Sequence, residues 1–203
     1  MGTLPAVAIA TTRLVILGGV RTLQPVHGYL LRRELSSWHA ERWAHLKPGS
    51  VYNALRSLTR EGFLAEVDAG GSGDGGGGGA GDAARTRYRL TRRGEREFFR
   101  LLHEALRTVD PAAGDVGAAG WSFAWTLPRA EVVDALEERL ETIETQRSTL
   151  AATARAAAAD ERVPEHVVEL ARLLRSRLDG ERAWLRSLLP RLHAGEYRFA
   201  DDE

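Results

Sequence analysis

Apolar residues along this chain recur first at helical spacing, then in strict alternation, then at helical spacing again. Leu14, Ile16, Leu17, Val20 and Leu23 share one side of a helix that the Gln24-Pro25 step should end. A second short helix is expected over His27 to Leu35, with Leu30, Leu31 and Leu35 as its apolar side. The stretch Ser36 to Leu46, with Trp38 and Trp43, reads as a turn region before a third helix. That third helix is the clearest, because Pro48 suits a first turn whose N–H groups have no helical partner. Its apolar side is Val51, Leu55 and Leu58, and Gly62 supplies a stop. The other side carries Gly49, Asn53, Arg56 and Arg60, flanked by Ser50, Tyr52 and Ser57.

The period then drops to two. Phe63 to Val67 and Arg85 to Leu90 have strand character, and in the second Arg85, Arg87 and Arg89 alternate with Thr86, Tyr88 and Leu90. Alternation places the arginines on one face and the apolar groups on the other. Between the strands, nine of the twelve residues 70–81 are glycine. Such a tip behaves as a flexible coil with a reach of roughly 17–20 Å. Its length adds only about 0.6 kcal/mol per doubling, so the fold tolerates it.

Helical spacing returns at Thr91, a candidate N-cap for a fourth helix through Phe98, Phe99, Leu101, Leu102 and Leu106. Asp110 to Gly114 breaks that helix, and a short aromatic segment, Trp121 to Trp125, follows. Two long amphipathic helices close the chain. Val133, Leu136, Leu140, Ile143 and Leu150 keep a coiled-coil-like rhythm that Arg147 interrupts. Val167, Leu170, Leu174, Leu178, Leu185, Leu188 and Leu192 repeat it, with Trp184 alongside.

Three helices, a two-stranded arginine-bearing hairpin and a further helix are the order of a winged helix-turn-helix. The expected fold class is mainly α with a small β-hairpin wing, followed by a C-terminal helical dimerisation domain. The expected boundaries are 1–107 for the winged helix-turn-helix, with its Gly-rich wing tip at 68–84. A linker with a short aromatic helix fills 108–127, a helical dimerisation and effector domain 128–195, and a tail 196–203. In this fold the third helix is thin enough for the DNA major groove, its apolar rear fixing it to the first two helices.

Charge sharpens that picture. The chain is formally neutral, yet residues 1–107 hold 16 Lys/Arg against 10 Asp/Glu, a net +6, and residues 108–203 hold 12 against 18, a net −6. The first half suits a polyanion and the second would be repelled by one. On the third helix, Ser50, Asn53 and Arg56 are candidates for base edges, since asparagine matches adenine and arginine guanine. Lys47 and Tyr52 are candidates for phosphates, and Arg85 and Arg87 for the backbone or the minor groove. Each has a plainer alternative: Arg56 and Arg60 can pair with Glu61 or Glu34, and Tyr52 can pack on the second helix. A winged helix that binds a protein and no DNA is the alternative to the whole reading.

Other classes find less support. The chain lacks cysteine, which excludes disulfides, thiolate metal sites and cysteine nucleophiles. Its six histidines form no HExxH or other ligand spacing, so no metal, cofactor or catalytic residue is assigned. The glycine tract lacks the Gly-Lys-Ser/Thr ending of a phosphate loop, and no GxSxG occurs. No apolar run approaches the roughly 20 residues of a membrane span. The opening residues lack the cationic start of a signal peptide, so a cytoplasmic protein is expected.

Three motifs in order resemble those of PadR-type transcriptional regulators. They are Leu14-Val15-Ile16-Leu17 with Pro25-Val26-His27-Gly28-Tyr29-Leu30-Leu31, then Leu46 to Leu58 continuing to Glu61-Gly62-Phe63-Leu64, then Arg87 to Gly94. The tail, with Leu136 to Leu140 and Glu181 to Leu185, is similar to the helical domain of the larger, Vir-like members. The resemblance implies a dimeric repressor whose C-terminal helices pack across a two-fold axis and which answers to a small effector. The wing tip is longer and richer in glycine than that pattern, and Lys47 stands where a capping residue is usual.

Dimerisation also follows from geometry, because two recognition helices on a symmetric dimer read half-sites about 34 Å apart. Leu136, Leu140, Ile143, Leu174, Leu178, Trp184, Leu185 and Leu188 are the candidate interface, the alternative being a monomer folded on its fourth helix. Trp121, Phe123 and Trp125 are candidates to line a pocket for a small planar hydrophobic effector, or else simply core.

Overall fold

The computed structural model of the chain describes residues 6–44, 46, 48–67, 86–112 and 116–202. Lys47, Arg85 and the wing tip at 68–84 therefore lie outside the described residues. The chain divides into two compact units, residues 1–105 with 118–120 and residues 106–117 with 121–203. The expected helical domain at 128–195 thus falls in the second unit, together with most of the linker and the tail.

The first unit opens with helix α1 (Ala6–Leu23), which buries Leu14, Val15, Ile16, Leu17 and Val20. It stops before the cis Gln24-Pro25 peptide. Helix α2 (Gly28–Ser37) buries Leu31 and Leu35. Contrary to expectation, His27 is not its first residue; it belongs to a two-residue strand, β1 (Val26–His27). So short a strand has no period to read in the sequence. The region after α2 is also more ordered than a turn. His39 adopts the left-handed conformation (φ 55°) and helix α3 (Ala40–Trp43) follows. The Trp43 indole N–H donates to the Trp38 carbonyl at 2.9 Å and closes this turn.

Helix α4 (Pro48–Arg60) presses Val51, Leu55 and Leu58 into the core. It ends as its glycine foretold: Gly62 has φ +77°, Phe63 N–H donates to the Leu58 carbonyl and Gly62 N–H to that of Thr59. Only a residue free to take left-handed angles closes a helix in this way at no steric penalty. Phe63 then sits between two guanidinium groups, Arg13 of α1 at 5.0 Å and Arg93 at 4.6 Å from the ring centre.

Strands β2 (Leu64–Val67) and β3 (Arg87–Leu90) pair antiparallel, Leu64 opposite Leu90 and Val67 opposite Arg87. β1 adds to the far side of β3, Val26 opposite Tyr88 and His27 opposite Arg87. The wing is thus a three-stranded sheet in the order β1-β3-β2, where the sequence suggests a two-stranded hairpin. Alternation holds within it, since Tyr88 and Leu90 are buried while Arg89 is exposed and Arg87 half-buried.

Helix α5 (Arg92–Arg107) starts as expected, with Gly94 N–H donating to Thr91 Oγ1 at 3.0 Å. Gly94 also lets α5 approach the wing, because a Cβ there would lie 2.0 Å from the Phe63 carbonyl oxygen.

Helix α6 (Val116–Phe123), whose residues 118–120 count with the first unit and the rest with the second, runs into a 3₁₀ turn (Ala124–Thr126). Helices α7 (Arg129–Ala159) and α8 (Glu165–His193) then pack on each other along their lengths. The shared core takes Val132, Val133, Leu136 and Ile143 from α7, and Ala171, Leu178, Leu185 and Leu192 from α8. Those four α8 positions are seven residues apart, the spacing of a helix-on-helix seam. Arg147, which interrupts the α7 rhythm, meets Asp179 of α8 at 2.5 Å. Arg139, 4% exposed, donates to Glu181 of α8 and to the Leu106 and Thr108 carbonyls. The residues after α8 fold back on the start of α7: Ala200 N–H donates to the Leu127 carbonyl at 3.2 Å, and Phe199 is buried.

Candidate nucleic-acid interface

The candidate site is the outer side of α4 together with the neighbouring wing. The spacing that buries Val51, Leu55 and Leu58 leaves Tyr52, Asn53, Arg56 and Arg60 exposed and Ser50 half-buried. Arg56 leans along its own helix, its Nη2 donating to Asn53 Oδ1 at 3.3 Å and its Nε to the Tyr52 carbonyl at 3.4 Å. The carboxylates that sequence reasoning offered as rivals are engaged elsewhere: Glu61 binds Arg13 and Ser57, and Glu34 binds Arg33. Among the described residues, neither Arg56 nor Arg60 makes an ion pair.

Tyr52 packs on the second helix and stays open to solvent as well. Its ring edge lies 3.2 Å from where a Cβ would stand on Gly28, so it rests on the start of α2, yet the residue remains 36% exposed. The helix is also coupled electrically to the wing. Burial raises the Tyr88 hydroxyl above its ordinary pKa, the Glu66 carboxylate adds to this, and the Arg56 guanidinium acts in the opposite sense. A charge on α4 is therefore felt on β3.

On the wing, Arg89 is exposed, while half-buried Arg87 donates from Nε to His27 Nε2 at 3.1 Å. His27 Nδ1 lies 3.2 Å from the Thr86 carbonyl oxygen. Sequence reasoning placed His27 at the start of the second helix; its side chain makes no capping bond there and instead meets Arg87 and Thr86 of the wing.

The remaining sequence candidates lie in the second unit. Of the eight interface residues, Leu136, Ile143, Leu178, Leu185 and Leu188 are buried within the single chain, and Leu140 and Leu174 are half-buried. Trp184 is 41% exposed. The residues that α8 leaves open are Val167, Leu170 and Leu173, at 41%, 55% and 50% exposure, with Leu173 absent from the expected set. For the effector candidates, Phe123 is fully inside, whereas Trp125 is 48% exposed. Trp121 is half-buried and meets Trp184 edge-on at 5.7 Å and Tyr197 at 6.1 Å.

A helix with an oily rear and a cationic front, followed by an antiparallel wing and a closing helix, defines a winged-helix domain. Residues 16–100 match the model of the transcriptional regulator PadR-like family. No functionally curated protein sequence matches the chain significantly. Among solved structures the chain is similar to Bacillus subtilis PadR in complex with operator DNA, at 21% identity and a TM-score of 0.35, over 89% of this chain and 98% of that one. No helix of the described residues is long and apolar enough to cross a membrane.

Proposed function

We propose that this chain is a DNA-binding transcriptional regulator, a repressor that acts as a homodimer and is released from its operator by a small planar hydrophobic effector. The observation that carries the DNA reading is the two-sidedness of α4. Val51, Leu55 and Leu58 pin it to the core while Asn53, Arg56 and Arg60 stand outside with no carboxylate partner among the described residues. Ser50, Asn53 and Arg56 read base edges in the major groove; Tyr52 and Lys47 hold phosphates, and Arg85 and Arg87 reach the backbone from the wing.

Homodimerisation draws support from α8, where Val167, Leu170 and Leu173 leave an apolar stripe open to water. Scattered exposed apolar residues are ordinary, but three within seven positions of one helix make a patch. A second copy, related by a two-fold axis, covers it. The effector reading draws on Trp125 and on the Trp121 ring beside Trp184. Release requires an effector that favours a spacing of the two α4 helices which the operator does not.

The test is selection of bound fragments from the organism's DNA, beginning with the chain's own promoter, followed by a mobility shift across a salt series. Affinity is expected to fall steeply with salt as phosphate contacts release counterions. Failure to shift any fragment would hand the domain to the protein-binding alternative. Effector binding is checked by quenching of tryptophan emission by flat apolar compounds with parallel loss of the shift; if Trp125→Ala keeps both responses, the pocket is elsewhere.

A further inference from the structure

We propose that His27 is the positioning residue for Arg87: an uncharged imidazole that aims the wing arginine without cancelling its charge. This deepens the reading of Arg87 as a DNA-backbone contact and rests on it.

The geometry determines the form of the imidazole. A guanidinium can only donate, so the 3.1 Å bond from Arg87 Nε requires a lone pair on His27 Nε2. The ring proton is then on Nδ1, where the Thr86 carbonyl oxygen lies 3.2 Å away and accepts it. His27 and Arg87 are opposite each other in the β1-β3 ladder, so the backbone brings the two side chains together. Both are half-buried, which limits the freedom of each.

The choice of partner matters for function. A carboxylate at position 27 would orient Arg87 as well, but would neutralise the charge a phosphate needs. The neutral ring engages only Nε and leaves both terminal NH₂ groups of the guanidinium for a bidentate phosphate contact. This explains how one arginine of the sheet can be ordered in advance and still carry its full charge.

The experiment measures affinity for a duplex selected by the unaltered protein, using His27→Asn, His27→Gln, Arg87→Ala and the double variant His27→Asn/Arg87→Ala. Asparagine can reproduce the Nδ1 bond to Thr86 but places nothing at Nε2; the longer glutamine can bring its amide oxygen there. His27→Asn is expected to weaken binding about tenfold, and to lower the salt slope by about 0.9, the share of one phosphate. His27→Gln should recover most of the loss, and His27→Asn should have no further effect once Arg87 is alanine. If the two single losses simply add, or Gln is no better than Asn, or Asn binds like the unaltered protein, the positioning role is overturned. If Arg87→Ala alone leaves affinity and slope unchanged, the reading of Arg87 as a contact falls, and the proposal with it. Nitrogen NMR of the unaltered protein provides a check that needs no variant: a proton on His27 Nε2 in the neutral ring would overturn the assignment.

Discussion

Arginine serves two opposite purposes in two regions of this chain. In the helical pair α7-α8 and its flanks, Arg129, Arg139, Arg147, Arg162, Arg182 and Arg191 each meet a carboxylate. On α4 and the wing, Arg56, Arg60, Arg87 and Arg89 make no ion pair among the described residues, and the partners of Arg56 and Arg87 are uncharged. Exposed ion pairs contribute only about 0–1 kcal/mol each, so, the nearly buried Arg139 apart, the pairing in the second unit adds little stability. Its larger consequence is that those cations are already neutralised. If α4 and the wing meet DNA as proposed, net charge alone does not mark such a face; a cluster of cations on one surface with no acids beside them does.

The comparison can be broken or sharpened experimentally. The largest effect is expected from Arg139→Leu, which strips a nearly buried guanidinium from Glu181 and two carbonyls. Breaking such a pair costs about 3–5 kcal/mol, with the low end favoured because Glu181 keeps 28% side-chain exposure. Urea unfolding measures it, and an unchanged midpoint would mean that Arg139 is no structural hub. Next, Leu170→Glu with Leu173→Glu should weaken self-association by about 2–4 kcal/mol while leaving the monomer's fold intact. Sedimentation over a concentration series reads this, and an unaltered association would move the interface off α8.

Arg56→Ala should weaken operator binding by about 1–3 kcal/mol and relax preference at one base position. As an exposed substitution it should change folding stability by less than about 0.5 kcal/mol. Equal losses in binding and folding would erase the distinction between the two uses of arginine. The smallest effect belongs to Glu144→Gln. Arg182's hydrogen bond, and after it Arg147's, hold the Glu144 carboxyl below the ordinary carboxylate value. A depressed value means the stabilisation is full above the ordinary carboxylate range and fades as pH falls through the lowered one. The glutamine variant should therefore be slightly weaker than the parent at neutral pH, equal to it in strong acid, and less distinct in high salt. A difference that grew on acidification would reverse the assigned sign.

Much of the first unit was legible because its signals are local. Helix α4 announces itself through Val51, Leu55 and Leu58 at helical spacing and through a glycine where the turn requires positive φ. Thr91 is recognisable as a cap because the bond it makes is three residues away. What escaped notice are pairings across long stretches of chain. β1 exists only because Val26 finds Tyr88, 62 positions on in the ladder. Gln24, similarly, is ordinary in sequence and turns out to accept the Leu90 N–H at 2.8 Å through its side-chain oxygen. The apolar residues of α8 were legible as a stripe, though not as two: one set faces α7 while Val167, Leu170 and Leu173 face outward. A repeat along one helix says that a face is apolar, and only the partner helix decides which edge of it is used.

The order of apolar and polar residues alone determined that α4 would be two-sided, that the wing would carry arginines on one face, and that the chain would end in long amphipathic helices. These follow from backbone periodicity, which each segment carries in itself. The tertiary structure alone decided which arginines are paired, that His27 serves the wing and not α2, and which leucines of α8 stay open to water. Such outcomes depend on groups far apart in the chain meeting in space, and spacing along the sequence holds no record of that.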